Sequence, residues 1–107
     1  MIYEWRICEV VPGRMRAYNE RFANLTMRLF HKHGMKVIGF WQTMIGTSNV
    51  LHYMLGFNDL NHYEKAWDSF HSDPEWIKGR TESEKEGPMT TKMTSIILRP
   101  TDYSPLR

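Results

Sequence analysis

The stretch from Lys36 to Phe57 limits the possible folds of this chain more than any other part of the sequence. Two runs of mostly apolar and aromatic residues flank the tetrad Gly46-Thr47-Ser48-Asn49. Such runs favour β-strands, and Gly and Asn readily take the positive φ angles that a tight hairpin turn requires. The stretch therefore predicts two long strands joined as a hairpin, and this hairpin forms the backbone of a sheet.

A strand and a helix are predicted before the hairpin. Ile2 to Val11 alternates and is rich in strand-forming residues, so it predicts a strand that Pro12-Gly13 ends. From Arg14 onward, apolar residues recur at spacings of three and four, which predicts an α-helix that ends at Gly34 in a left-handed cap. The apolar stripe of this helix contains Met15, Tyr18, Phe22, Leu25 and Leu29.

Two helices and a last strand are predicted after the hairpin. Asp59 is a suitable N-cap for the first of these helices. The sequence Asp73-Pro74-Glu75-Trp76 begins a shorter helix, because Asp caps, Pro fits the first helical position and Glu favours the positive helix end. Met93 to Leu98 predicts the last strand, and two prolines exclude helix from an extended tail at residues 99–107.

The order strand, helix, strand, strand, helix, strand predicts an α+β fold. With right-handed crossovers it corresponds to the ferredoxin-like βαββαβ arrangement, in which the helices cover one face of a four-stranded antiparallel sheet. Strand one then lies beside strands three and four. A length of 107 residues corresponds to a single domain, residues 1–107.

The predicted sheet leaves one face bare. We expect Leu51, Tyr53, Leu55 and Phe57 to face the helices, and we expect the opposite side of that strand, with His52, to share the bare face with Glu4 and Arg6. The apolar residues predicted on the same face are Val10, Met54 and Trp41. This apolar area is too large to stay in contact with water, so we expect two copies of the sheet to pair face to face in a homodimer.

The composition narrows the range of partners. The net charge of +2 is too small for the concentrated positive field of a nucleic-acid-binding protein, and no apolar run approaches the ~20 residues of a membrane span, so we expect neither partner. Arg14, Arg21 and Arg28 lie seven apart and allow an anion-binding strip, although such charges are usually on a solvated helix surface. The single Cys8 forms no internal disulfide and favours a reducing, cytoplasmic compartment.

Several short motifs together resemble one protein family. They are Tyr3-Glu4 with Arg6, Pro12-Gly13-Arg14, His33-Gly34, Gly39 with Trp41, Gly46 with Asn49, Asp73-Pro74-Glu75-Trp76, Ile97-Leu98 with Pro100, and Ser104-Pro105-Leu106. In order and spacing they resemble the NIPSNAP family over nearly the whole chain. The resemblance implies a dimeric α/β barrel and no generally agreed reaction. Trp5 and Cys8 depart from the pattern, which has a smaller aliphatic residue and a less reactive side chain there.

The five histidines raise the question of a metal site, but their spacing argues against one. His31 and His33 are two apart on a helix and point in different directions, and His62 and His71 are nine apart. No HxxxH or HExxH motif is present. We therefore expect neither a metal site nor a cofactor.

Glu4, Arg6, Trp41 and His52 form the cluster most suited to chemistry if they share a sheet face. In that cluster His52 would act as acid or base, Arg6 would hold an anionic oxygen, and Trp41 would stack on a planar substrate. Alternatively, Glu4 and Arg6 form a structural ion pair within the barrel. Tyr63, Trp67 and Trp76 are either core residues or the lining of a ligand pocket between helices and sheet, where enzymes with similar barrels bind their substrates.

Two functions remain open from the sequence. The first is a homodimer that binds a small, partly apolar ligand or a protein partner, which fits the aromatic-rich sheet. The second is a small cofactor-independent monooxygenase or isomerase, which rests on fold analogy together with Arg6 and His52. The sequence names neither ligand nor substrate, and it leaves open whether the tail from Pro100 to Arg107 crosses onto a partner subunit.

Overall fold

A computed structural model describes all residues from 1 to 107. It contains four strands and three helical regions, of which the first changes its winding part-way along its length. No helix has the length and apolar character that crossing a membrane requires. The elements are β1 (Ile2–Val10), α1 (Met15–Arg21), a π-helical segment (Phe22–Thr26), α2 (Met27–Lys32), β2 (Lys36–Gln42), β3 (Val50–Phe57), α3 (Leu60–Ser72), α4 (Pro74–Ser83) and β4 (Thr90–Leu98).

The four strands form one sheet in the order β2-β3-β1-β4. Every neighbouring pair is antiparallel, and β1 lies between β3 and β4, so the predicted ferredoxin-like α+β arrangement is confirmed. The predicted caps are also present. The Asp59 side chain accepts a hydrogen bond from the backbone N–H of His62, and the Asp73 side chain accepts one from Glu75. Gly34 has the positive φ expected of a C-terminal cap.

The register of the sheet corrects the predicted assignment of its two faces. Glu4 lies opposite Leu55, and Arg6 lies opposite Tyr53. Directly opposed residues of an antiparallel pair project to the same side, so Glu4 and Arg6 face the helices. The prediction that they share the bare face with His52 is wrong, as is the same prediction for Val10, which belongs to the core. The predicted alternation within β1 and within β3 is correct, but alternation alone does not determine which side of one strand matches which side of the next strand.

The side of the sheet turned away from the helices is the open face. It carries Trp5 and Met54 as an opposed pair, with Ile96 opposite Trp5 on the other neighbouring strand. Its other members are Tyr3, Ile7, Glu9, Lys36, Gly39, Trp41, Val50, His52, Gly56, Lys92, Thr94 and Leu98. The open face is therefore mainly apolar and aromatic, as predicted, although its polar members differ from those expected.

A bulge in β2 changes the side of one predicted residue. Val37 pairs with Leu55 and Gly39 pairs with Met54, which leaves Ile38 as an extra residue between them. Val37 consequently packs against the helix-side core, whereas Gly39 and Trp41 lie on the open face. Strict alternation along the strand would place Val37 on the same side as Trp41, and it fails here because the extra residue of a bulge reverses the alternation.

The first helical region contains a wide turn. The segment Phe22–Thr26 is π-helical, and it shifts the buried stripe around the helix. Tyr18, Phe22 and Leu29 are buried as predicted, but Leu25 is only half-buried, and Thr26 and Phe30 take buried positions that a continuous α-helical period does not predict. A period of 3.6 residues fails at such a turn, because five residues separate its hydrogen-bonded groups.

The connection between β2 and β3 is longer than a tight hairpin turn. The strands end at Gln42 and resume at Val50, and Gly46 and Asn49 have the positive φ angles of 138° and 59° that their residue types favour. Met44 and Ile45 are 94% and 91% exposed at the tip of this loop. The hairpin is thus confirmed, but its connection presents two apolar side chains to solvent.

Candidate functional site

A cavity of about 220 Å³ lies between the helix side of the sheet and the helices. Its wall combines aromatic rings with three arginines, a combination that a purely structural core does not require. The aromatic lining residues are Tyr18, Phe22, Phe30, Tyr53, Trp67, Phe70 and Trp76, and the charged ones are Arg6, Arg21, Arg80 and Glu84. The remaining lining residues are Thr26, His71, Met89, Thr90 and Met93.

Arg6 extends from β1 toward the helices and lies over two aromatic rings. Its guanidinium carbon lies 4.5 Å from the ring centre of Trp67 and 5.6 Å from that of Tyr53. One terminal nitrogen contacts the Met93 sulfur, and Nε has no hydrogen-bond partner in the chain. The guanidinium thus makes cation–π contacts with both rings, while most of its N–H groups are not paired with a strong acceptor.

Glu4 lies behind Arg6 and is almost completely buried. It accepts hydrogen bonds from the Trp67 indole nitrogen at 2.8 Å and from the Ser95 hydroxyl. Its Oε2 atom is 3.6 Å from Arg6 Nε, which is an ion pair without a direct hydrogen bond. Burial opposes the positive charge of Arg6, but nearby Tyr53 and Glu4 raise the pKa of the guanidinium, so it stays charged. Glu4 therefore positions Trp67 and compensates the charge of Arg6.

The other end of the cavity holds a second cationic group. Arg21, at the end of α1, donates to the Ser83 hydroxyl at 3.1 Å and to Glu84 at 3.0 Å. Its guanidinium carbon lies 5.1 Å from the ring centre of Trp76. Arg80 also donates to Glu84, at 3.0 Å. A single carboxylate is thus shared by two arginines at this end of the site.

The ionisation of the lining residues reflects the positive charge around the cavity. Burial lowers the pKa of His71, and the charges of Arg6 and Arg80 lower it further, so the imidazole is neutral at pH 7. Its ring stacks on Trp67 with the ring centres 5.3 Å apart. Burial raises the pKa of both Tyr18 and Tyr53 above the usual value for tyrosine. Both hydroxyls therefore remain protonated and can serve as hydrogen-bond donors.

Three of the seven predicted site residues line this cavity and four do not. Arg6, Trp67 and Trp76 line it, and Glu4 lies directly behind Arg6. Tyr63 packs against Phe57 instead, with the ring centres 5.2 Å apart. Trp41 and His52 are on the open face, separated from Arg6 by the sheet.

His52 is fully occupied by neighbours on the open face. Its Nδ1 accepts from the Trp5 indole nitrogen at 3.3 Å, and its Nε2 lies 3.2 Å from the Thr43 hydroxyl. The predicted cluster of Glu4, Arg6, Trp41 and His52 therefore does not form. A catalytic role for His52 beside Arg6 is excluded by the register that places them on opposite sides of the sheet.

Arg21, Arg80, His71 and Tyr53 are functional candidates that sequence reasoning did not identify. One signal was present in the seven-residue spacing of Arg14, Arg21 and Arg28, which was interpreted as a solvated surface. Instead this strip faces α4 and the residues after it: Arg14 donates to the Ser83 carbonyl at 3.2 Å, and Arg28 donates to Glu75 at 2.7 Å. If the acidic residues that follow Lys78 had been recognised as partners of this strip, Arg21 would have been predicted as a site residue.

The other groups that could carry chemistry are a single cysteine and the possible metal ligands. Cys8 is a buried free thiol on the helix side of β1, and burial raises its pKa, so it is a weak nucleophile. No three His, Cys, Asp or Glu side chains are gathered in a way that could hold a metal ion.

Comparison with known proteins places this arrangement in a structural context. A NIPSNAP family protein from Agrobacterium tumefaciens is 25% identical, with a TM-score of 0.88 over 99% of this chain and 98% of its own. An uncharacterised NIPSNAP-like domain protein from Burkholderia xenovorans is 25% identical, with a TM-score of 0.85 over 97% of this chain and 88% of its own.

A more distant structure shares the fold alone. A variant of MhuD with two manganese protoporphyrin IX molecules bound per active site is 13% identical, with a TM-score of 0.60 over 94% of each chain. No curated protein is significantly similar in sequence.

The family resemblance deduced from the short motifs is confirmed by a family model. The NIPSNAP model matches residues 3–105, which is nearly the whole chain. A second NIPSNAP family protein from Agrobacterium tumefaciens, described as having unknown function, is 20% identical, with a TM-score of 0.89 over 100% of this chain and 94% of its own. With the fold, the cavity and these matches taken together, the chain belongs to the NIPSNAP family.

Proposed function

We propose that this protein is a homodimer that binds a small, partly apolar ligand in the cavity between sheet and helices. The observation that carries the proposal is the cavity wall, in which Trp67, Trp76 and Tyr53 surround a space of about 220 Å³. Pockets for drug-sized ligands typically measure about 300–1,000 Å³. The expected ligand is therefore smaller, with a single ring system or an equivalent apolar group.

A packing defect is a poor explanation for this cavity. Protein interiors are close-packed, and buried polar groups are almost always hydrogen-bonded. Here the Nε atoms of Arg6 and Arg21 are buried without a hydrogen-bond partner in the chain. The charged side chains of Arg6, Arg21 and Arg80 line the space, and a wall of this kind favours a binding site over a void left by imperfect packing.

The four tryptophans provide a direct test by NMR. Trp67 and Trp76 line the cavity, whereas Trp5 and Trp41 lie on the open face and serve as internal controls. Titration of the ¹⁵N-labelled protein with indole and phenol is expected to shift the indole N–H signals of the first pair and leave the second pair unchanged. Equal shifts of all four signals, or none, would contradict binding in the cavity.

Native mass spectrometry of the protein as purified gives a complementary test. A dimer that carries a stoichiometric additional mass is the expected result. A stable monomer would contradict the homodimer.

The homodimer is supported by the open face. Trp5, Met54 and Ile96 form an apolar surface that no element of the chain covers, and the buried Tyr3 hydroxyl has no hydrogen-bond partner within the chain. Pairing of two such faces would remove the apolar area from water. The cavity lies on the other side of the sheet, so dimer formation and ligand binding use different surfaces.

A charge at the centre of the open face tests the homodimer. We expect Met54→Lys to convert the dimer to a monomer in light-scattering measurements, because two facing ammonium groups would be buried without partners. Leu60→Lys is the matched control, since Leu60 is an exposed apolar residue on α3 away from the open face. An intact dimer in both variants would refute this interface.

Location in the cytoplasm is also a proposal. It is supported by the buried free thiol of Cys8, which a reducing compartment preserves. Separation of cell fractions followed by immunodetection would test it, and recovery outside the cytoplasmic fraction would contradict it.

A second candidate function, proton transfer on the bound ligand, is favoured by His71. This neutral imidazole lines the same cavity as Arg6, and an arginine beside a base stabilises an enolate. His71 would have the acid or base role that the sequence analysis assigned to His52 in an isomerase. In such a reaction the imidazole removes a proton next to a carbonyl group, the electron pair moves to the carbonyl oxygen, and return of a proton restores the ligand.

Phenylpyruvate in D₂O tests this second function. We expect the protein to accelerate exchange of its benzylic protons for deuterium, and His71→Asn to abolish the acceleration while the Trp67 and Trp76 signals still shift on binding. An unaccelerated exchange with normal binding would leave ligand binding as the function and reject proton transfer. The monooxygenase alternative stays a prediction.

A further inference from the structure

We infer that the ligand is an aromatic carboxylate whose anionic group is bound by Arg6. This inference rests on the proposed function, because it assigns a chemical class to the ligand of the same cavity. It follows from three features of the site: the free donors of Arg6, the distribution of charge along the wall, and the arrangement of the rings.

The first feature is the hydrogen-bonding state of Arg6. A guanidinium has five N–H donors in a planar fork that matches a carboxylate. Within the chain, Arg6 donates only to the Met93 sulfur, which is a weak acceptor, and its ion pair with Glu4 is too long for a hydrogen bond. Its guanidinium carbon lies over the rings of Trp67 and Tyr53, and a ligand anion would bind along the edge of the guanidinium, where the donors are.

The second feature is the excess of positive charge. Three arginines and one glutamate line the cavity, and the glutamate is Glu84, which Arg21 and Arg80 already share. The remaining titratable lining groups are neutral, since His71 is unprotonated and both tyrosines keep their protons. Glu4 balances the charge of Arg6 and Glu84 balances one of the other two arginines, so the wall carries one net positive charge, and Arg6 is the arginine to which no carboxylate is hydrogen-bonded. An anion would bind better than a neutral or cationic ligand of the same shape.

The third feature is the position of the rings relative to Arg6. Phe22, Phe30 and Phe70 line the cavity together with Trp76, so the space that Arg6 borders has largely aromatic walls. A carboxylate directly attached to a flat ring places its charge at Arg6 and its ring among these residues. At the other end both Arg21 and Arg80 are hydrogen-bonded to Glu84, so part of their donor capacity is already used by a carboxylate, unlike that of Arg6.

Benzoate and benzamide form a matched pair of probes, because they have almost the same shape and differ in charge. We expect benzoate to bind about tenfold to a hundredfold more tightly than benzamide, as a charge-assisted hydrogen bond at a desolvated site predicts. Binding is measured by the indole N–H shifts of Trp67 and Trp76, with Trp5 and Trp41 as controls. Benzylamine is expected to produce no shift.

Substitution of Arg6 assigns the selectivity to this residue. Arg6→Lys keeps the charge and loses the planar fork, so the preference for benzoate is expected to fall to a few-fold. Arg6→Met combined with Glu4→Gln removes both charges without leaving either unpaired, and it is expected to bind the two probes equally. Arg16→Gln changes an exposed arginine outside the cavity and is expected to keep the wild-type preference.

The outcomes separate this inference from the proposed function. Equal binding of benzoate and benzamide to the wild-type protein would overturn carboxylate recognition and leave ligand binding intact. Unchanged preference in the folded double variant would overturn the role of Arg6. Absence of cavity shifts with either probe, and with indole and phenol, would overturn both the inference and the function on which it rests.

Discussion

Helices α3 and α4 follow one another around Asp73, but they are attached to the rest of the fold in different ways. Helix α3 buries Ala66, Trp67 and Phe70 in the core, whereas α4 buries none of its residues. Helix α4 is instead held mainly by polar contacts to the first helical region and by the half-buried Trp76 against Phe70. These polar contacts come from Arg14, Arg21, Arg28 and Lys32.

The difference shows how the cavity is built. One wall, carrying Trp67, belongs to the hydrophobic core and is fixed by apolar burial. The opposite wall, carrying Trp76 and Arg80, depends on hydrogen bonds and ion pairs that water can replace. We therefore expect α4 to open locally at a lower free energy than α3.

The largest expected effect on the free energy of unfolding comes from a substitution in α3. Phe70→Ala should lower the free energy of unfolding by about 3–5 kcal/mol, because it removes a fully buried ring that contacts Phe30, Trp67 and Trp76. Urea denaturation measures this change. Ile77→Ala, at an exposed apolar position of α4, should change the stability by less than about 0.5 kcal/mol. Similar losses in the two variants would show that the helices do not differ as described.

A smaller effect is expected where the first helical region binds α4. Arg21→Met should destabilise the protein by about 1–2 kcal/mol, because it removes the hydrogen bonds to Ser83 and Glu84 from a side chain that is only 11% exposed. Hydrogen exchange should become faster in α4 and remain unchanged in α3. Arg16→Gln is the control, since its exposed ion pair with Glu20 contributes little. Faster exchange in both helices would mean that they open as one unit.

The residue between the helices should make stability depend on pH in the acid range. Hydrogen bonds from Lys32, from His33 and from the Glu75 backbone lower the pKa of Asp73. A carboxylate whose pKa is lower in the folded state contributes stability above its unfolded pKa of about 3.9, and this contribution is lost as pH falls toward the folded value. The urea midpoint should therefore decrease below about pH 4.

Asp73→Asn isolates this effect. Asparagine keeps a side-chain oxygen for the N-cap and removes the charge, so the decrease of the urea midpoint at low pH should become shallower. Glu75, whose pKa Arg28 also lowers, should supply the part that remains. An unchanged pH profile in this variant would assign the acid sensitivity to other carboxylates.

The smallest expected effect on stability concerns Gly79 of α4, which lies against the side chain of Leu25. A Cβ atom on Gly79 would collide with the Leu25 side chain. Gly79→Ala gains up to about 1 kcal/mol of helix propensity, but displacement of Leu25 offsets it. In a Leu25→Ala background the same substitution should be more favourable by about 0.5–1 kcal/mol, as measured by a double-mutant cycle. A coupling energy near zero would indicate that α4 is not seated closely on Leu25.

Local signals in the sequence were sufficient for the elements and insufficient for the site. The caps at Asp59 and Asp73 and the positive φ angles of Gly34 and Asn49 were predictable, because a few neighbouring residues determine them. The side of the sheet occupied by Arg6 was not, because it depends on the register between strands that are distant in the sequence. For the same reason Arg21 and His71 could not be predicted as neighbours: they share no motif, and only the fold brings them to the same cavity.

The bulge in β2 and the wide turn in the first helical region caused the other errors. Each adds one residue to an otherwise regular element, so a strict period assigned Val37 to the wrong side and missed Phe30. Neither irregularity has a distinctive residue type at its centre. After each irregularity the pattern of buried and exposed residues is shifted by one position, and this shift is visible only once the neighbours of each residue are known.

The wide turn at Phe22–Thr26 also bears on how chains of this kind can be compared. A π-helical turn is equivalent to the insertion of one amino acid into a regular helix. A homologue without the extra residue would align with Tyr18 and with Phe30 only if a single-residue gap were allowed inside the helix. An alignment that confines gaps to loops would match one half of this helix and shift the other half by one position. Deletion of Ala23, an exposed residue within the turn, would be the simplest genetic change to regularise the helix.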